Sequence, residues 1–150
     1  MNPSHEKGLA FEDHVADTLA AREWTIVDRN VDVNGIEIDI VTTSPVGSLW
    51  FVECKGGDIV GRSGLARTDT VKKAVGAAWA LRDSLVHRSG RYFVVTTMMP
   101  TTDSVAHRLV TDAVDAGLLA GAGTVDALLT LHDVMSGTLP ERGIVRRMEW

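Results

Sequence analysis

Cysteine is almost missing from this chain, with one thiol, Cys54, in 150 residues. A single thiol excludes an internal disulfide and a four-cysteine zinc site. Aromatic residues are also scarce, and four of the eight are tryptophan. No stretch approaches the roughly 18 consecutive apolar residues of a membrane span. The opening MNPSHEKG lacks the apolar core of a secretory signal. The expectation is a cytoplasmic protein with no membrane contact. Repeats, low-complexity tracts and linkers are missing too, so residues 1–150 read as one domain, long enough to bury a core. A strongly basic balance is absent, because the net charge is −5. That total hides an asymmetry. Residues 1–54 carry three basic and ten acidic side chains, whereas residues 55–91 carry eight basic and three acidic ones. Runs of charge are usually solvated faces; the sharper reading is a phosphate-facing stretch beside a carboxylate site.

Residues 5–23 have helical spacing. At 100° per residue Leu9, Val15, Ala16, Leu19 and Ala20 form one stripe, and Glu12 falls in its middle. An acid centred on an apolar face breaks a local rule in the way functional sites do. The plain alternative is a Glu near a helix start, favoured by the helix dipole and reaching out to water. Residues 24–31 predict a first strand, and Asn34-Gly35 a turn. In residues 36–41, Ile36, Ile38 and Ile40 alternate with Glu37, Asp39 and Val41. A hairpin-length link then leads to residues 49–55, LWFVECK, where Phe51, Glu53 and Lys55 share a face opposite Trp50, Val52 and Cys54. Antiparallel pairing of these two strands sets Asp39 on the face of Glu53 and Lys55.

Residues 56–67 form a glycine-rich basic loop. Thr68 or Asp69 caps a helix to about Val86, with Val71, Ala74, Val75, Ala78 and Leu85 inward. Residues 91–97 predict a strand. A Thr101-Thr102-Asp103 cap opens a helix to Ala116, a short strand can follow, and residues 124–135 predict a last helix. The tail GIVRRMEW suits a short strand or a docked end. This order implies an α/β fold with helices on both faces of a sheet.

Glu12, Asp39, Glu53 and Lys55 thus converge from a helix and two adjacent strand ends. Clustered carboxylates suit a hard divalent cation such as Mg²⁺, which keeps several waters. Such an ion polarises a phosphoryl oxygen and acidifies a water, and a neighbouring lysine positions that water or stabilises charge. Taken alone, Glu53 and Lys55 read as a structural salt bridge worth roughly 0–1 kcal/mol when exposed. Together with Glu12 and the strand order, the metal site is the better reading.

Asp39 followed 14 residues later by Glu53-Cys54-Lys55 resembles the signature of the PD-(D/E)xK nuclease superfamily. The stretches KGLAFEDHVADTLAAREW, GIEIDIV and FVECK are similar to those of archaeal Holliday-junction resolvases and Mrr-like restriction endonucleases. The resemblance implies a restriction-endonuclease-like α/β/α core with a mixed central sheet. It implies that Glu12, Asp39 and Glu53 hold Mg²⁺, for which Mn²⁺ substitutes, with the main-chain carbonyl of Cys54 as a further ligand. Lys55 is then the catalytic lysine. Departures are visible. Ile38, not proline, precedes Asp39, no glutamine follows Lys55 at the position some relatives use, and Glu37 is placed to replace or assist Asp39.

The function expected on this basis is metal-dependent endonucleolytic cleavage of DNA, restriction-like or junction-resolving. Arg62, Arg67, Lys72 and Lys73 are the candidate phosphate contacts, adding salt-dependent affinity without reading bases. The catalytic domain is expected to account for nearly all of these 150 residues, leaving no room among them for a separate sequence-reading module, so specificity is expected from DNA shape, a homodimer or a recruiting protein partner. The alternatives are a non-catalytic nucleic-acid-binding or protein-interaction module on the same fold, and an RNA nuclease. Cys54 faces away from the acids and reads as a small core residue. The five histidines have no ligand spacing and read as surface or satisfied residues.

Overall fold

A computed structural model describes residues 3–56 and 64–137. Its elements are α1 (Pro3–Ala21), β1 (Thr25–Val33), β2 (Ile36–Thr43), β3 (Leu49–Lys55), α2 (Thr68–His87), β4 (Arg91–Thr96), α3 (Val105–Asp115), β5 (Gly121–Gly123) and α4 (Val125–Met135). Five strands form one sheet in the order β1-β2-β3-β4-β5. β1, β2 and β3 run antiparallel, and β4 and β5 run parallel to β3. The first half is a meander built on tight links. Asn34 and Gly35 have φ of 55° and 84°, the left-handed pair a two-residue hairpin needs.

Side-chain alternation feeds two cores. Phe51, Tyr92 and Val94 point to one face, under Val71, Ala74, Ala78, Leu81 and Leu85 of α2 and Ala106, Val110 and Ala113 of α3. Trp50, Val52, Phe93 and Val95 point to the other, under Val15, Ala16 and Leu19 of α1 and Leu128 and Leu129 of α4. β3 and β4 are therefore buried on both sides and read as nearly continuous apolar runs. The mixed sheet between two helical layers is the α/β/α architecture that the resemblance implied.

The structure corrects several sequence-based expectations. Ser104, not the Thr101-Thr102-Asp103 run, caps α3, accepting a hydrogen bond from His107 N at 3.0 Å. Ala20 is exposed rather than part of the α1 stripe. His132 is neither on the surface nor fully satisfied. It is buried between Trp24 and Trp50, with Nδ1 on Asp133 and no partner for Nε2 among the described residues. The tail GIVRRMEW lies outside the described residues.

Tight packing yields one stability prediction. A Cβ on Gly90, at the entry to β4, would overlap the ring of Phe51, which is 2% exposed and cannot swing away. Gly90→Ala should destabilise by about 1–3 kcal/mol, the usual cost of overpacking. Urea unfolding monitored by tryptophan fluorescence checks it.

Candidate active site

The site forms where two strands part. β2 and β3 pair from Thr43↔Leu49 to Ile40↔Val52, and the register ends there. One residue further, Asp39 turns its carboxylate into the opening, and Oδ2 accepts a hydrogen bond from the Cys54 backbone N–H at 2.8 Å. The carboxylate thus satisfies a backbone donor that a continued ladder would have satisfied.

The even alternation expected for β2 fails at this point. Ile38 packs into the core under α2 and α3, whereas Ile40, two residues on, packs into the core under α1 and α4. The break falls opposite a β1 residue with left-handed backbone, whereas the register shift of β1 lies further back, between Ile26 and Asp28. Between the register pairs Arg29↔Ile40 and Val31↔Ile38 lie Asn30 and Asp39, and Asn30 has φ 55°. Asparagine tolerates this left-handed backbone better than most residues. The switch of faces leaves Asp39 at the border of the two layers, within reach of Glu12 and Glu53.

Glu12 arrives from α1 and Glu53 from β3. Glu53 follows Phe51 on its face and is buried, and so is Glu12. Tyr92 O–H donates to Glu53 Oε2 at 3.0 Å, and Lys55 Nζ stands 3.6 Å from Glu53 Oε1. Glu12 Oε1 is buried with no hydrogen-bond partner among the described residues. Burial, then the neighbouring Asp39 carboxylate, pushes the Glu12 carboxyl from its ordinary 4.5 up to about 7. The same causes in the same order push Glu53 up to about 9, against the opposing pull of Lys55 and Tyr92. Burial first, and then Asp39, also raises the Cys54 thiol, which makes it a poor nucleophile at neutral pH.

Glu12, Asp39, Glu53, Cys54 and Lys55 line an open cleft of about 470 Å³ together with Gly8, Leu9, Asn30 and Glu37. The arrangement is not a finished metal cage. Among the described residues, no three His, Cys, Asp or Glu side chains stand together ready to hold an ion. Asp39 and Glu53 each have one oxygen already bonded to the protein. The chemistry of the donors nevertheless fits Mg²⁺, which typically takes one or two carboxylates and completes its shell with water and substrate oxygens. Glu12 Oε1, which has no hydrogen-bond partner among the described residues, is a further donor.

The sequence-based set is therefore brought together in part. Glu12, Asp39, Glu53, Cys54 and Lys55 share the cleft. The Cys54 side chain packs on the core opposite Phe51, as a core residue should, but that is the side of α1 and Glu12, so it does not face away from all the acids. Arg67, Lys72 and Lys73 are exposed and stand outside it, Arg67 at 3.5 Å from Asp69. The chain leading to α2 does return to the cleft end of the sheet, since Leu65 N–H donates to Met98 O at 3.0 Å and Gly64 packs on the Lys55 carbonyl. Arg62 lies outside the described residues. Two groups escaped sequence reasoning. Tyr92 looks like one more apolar strand residue. Arg29, bonded to Asp13 at 2.9 Å, is the cation that partly offsets the rise at Glu12.

No described helix is long and apolar enough to cross a membrane. A UPF0102 protein of Corynebacterium diphtheriae is 42% identical over 57 residues, covering 37% of this chain and 47% of the relative. The structure of Pyrococcus furiosus SfsA in complex with Ca²⁺ aligns with a TM-score of 0.49 at 16% identity, over 80% of this chain and 55% of that one. The chain thus spans about half the length of each of these two relatives. The profile of the uncharacterised protein family UPF0102 matches residues 11–93, more than half of the chain and the stretch that supplies Glu12, Asp39, Glu53 and Lys55; the chain belongs to that family.

Proposed function

We propose that the protein is a metal-dependent DNA endonuclease. The observation that carries the reading is the convergence of three carboxylates and one lysine, from α1, β2 and β3, in one open cleft at a strand separation. Buried like charges are costly, and a fold retains them where a cation or a reaction uses them.

In this reading Asp39 and Glu53 offer one oxygen each to Mg²⁺ or Mn²⁺, at Glu53 the one beside Lys55, and Glu12 and the Cys54 carbonyl complete the protein's share. Bound there, the ion supplies Lewis acidity toward a phosphoryl oxygen and acidifies a water. Lys55, held beside Glu53, orients the attacking water and stabilises charge on the phosphate as the bond breaks. Arg62, Arg67, Lys72 and Lys73 hold flanking phosphates and supply affinity without base recognition. Specificity then resides in DNA shape, in pairing of two copies, or in a recruiting protein.

The test is cleavage of a four-way junction, a linear duplex and a single strand, each with Mg²⁺, with Mn²⁺ and with EDTA. Metal-dependent cutting of one of these DNAs is expected, and the preferred DNA chooses between junction resolution and restriction-like cleavage. Absence of cutting, combined with absence of divalent-ion binding by calorimetry, would leave a non-catalytic module and reduce Glu53 and Lys55 to a salt bridge.

A further inference from the structure

We propose that Tyr92 is a positioning residue that restricts Glu53 to one-oxygen coordination and so favours Mg²⁺ over Ca²⁺. The inference rests on the reading of the cleft as a metal site and concerns which ion it takes.

Tyr92 is 2% exposed, and its hydroxyl reaches Glu53 from the neighbouring parallel strand. Glu53 lies opposite Val94, and Tyr92 precedes Val94 by two residues on the same face. A buried tyrosine hydroxyl needs a partner, and among the described residues the one hydrogen bond it makes is to Glu53 Oε2, at 3.0 Å. Breaking that bond would leave a buried donor unsatisfied, so the contact resists displacement. Glu53 is left with Oε1, the oxygen on the Lys55 side.

Asp39 is restricted in the same way, because the Cys54 N–H occupies Oδ2. Two carboxylates that each show one oxygen suit a small octahedral ion that keeps its waters. Ca²⁺ prefers six to eight oxygens and often gathers them by two-oxygen chelation of a carboxylate. The hydroxyl of Tyr92 takes one lone pair of Oε2 and fixes the carboxylate plane, which disfavours turning both oxygens of Glu53 toward one ion. Tyr92→Phe keeps the ring and its packing but returns Oε2 to the cleft.

Calorimetric titration of the full chain with MgCl₂, and separately with CaCl₂, tests this for the wild type and Tyr92→Phe. Mg²⁺ affinity is expected to fall about 10–100-fold in the variant, the usual effect of losing an outer-shell partner. Ca²⁺ affinity should hold or rise, so the preference narrows. Infrared carboxylate bands supply a second readout that needs no variant. The wild type with Mg²⁺ should show one-oxygen coordination. Equal losses for both ions, no change for either, or two-oxygen coordination in the wild type would overturn the proposal. A wild-type chain that binds neither ion would overturn the metal-site reading as well, which separates the two failures.

Discussion

Replacing Lys55 by alanine is expected to slow phosphodiester cleavage by about 10²–10³-fold or more, the cost of removing one preorganised charge-stabilising group. The fold should survive. The Lys55 side chain is 28% exposed and its 3.6 Å contact with Glu53 is long, so little of the chain's stability rests on the pair. Most DNA binding should survive as well, because phosphate contacts add separately and the basic residues 62, 67, 72 and 73 remain. Single-turnover cleavage with Mg²⁺, beside a gel-shift titration without divalent ions, separates the two effects. Wild-type cleavage by Lys55→Ala would remove the lysine from the mechanism.

The second large effect is on stability against pH. Glu12 and Glu53 hold their protons more tightly in the folded chain, up to about 7 and about 9, than at the ordinary 4.5. A raised carboxyl favours the folded state below the unfolded value, and that contribution is lost as pH rises through the folded one. Metal-free protein should therefore lose melting temperature steadily between about pH 5 and pH 9, at about 2–4 °C for each kcal/mol. Glu53→Gln, which removes the more strongly shifted charge, should melt above the wild type at pH 9.

Divalent ions should act in the opposite sense. Protons and metal compete for the same oxygens, so binding strengthens as pH rises. Ion at about 100 times its Kd should restore roughly 2.7 kcal/mol. Melting curves at pH 5, 7 and 9 with EDTA and with Mg²⁺ test both halves. A melting temperature independent of pH in EDTA would contradict the buried-carboxylate account. Glu53→Gln responding to Mg²⁺ as strongly as the wild type would remove Glu53 from the ion's shell.

Much of the site was legible because its grammar is local. A strand alternates every two residues, so E-x-K puts Glu53 and Lys55 on one face wherever the strand goes. Likewise, a short link between two strands brings Asp39 to the neighbouring strand. Glu12 stood out because helical spacing is local too, and its burial agrees with its place in the α1 stripe. The inference from β2 failed where alternation depends on a partner strand. The left-handed backbone of Asn30 in β1 accompanies the switch of faces between Ile38 and Ile40, and only the register brings Asn30 beside Asp39.

The sequence by itself determined the order of elements, the three carboxylates and the lysine, and the two apolar faces of the strands. These follow from periodicities of two and 3.6 residues, which any short segment carries within itself. Tertiary structure decided which oxygen of Glu53 and of Asp39 carries a hydrogen bond from the protein. Tyr92 lies 39 residues from the Glu53 it holds, and Cys54 lies 15 from Asp39, so both contacts exist only once the sheet has assembled. Tertiary structure also decided the charge state of the site. Burial is a property of the packed layers, and it is burial, before any neighbour, that moves Glu12 and Glu53 away from ordinary carboxylates.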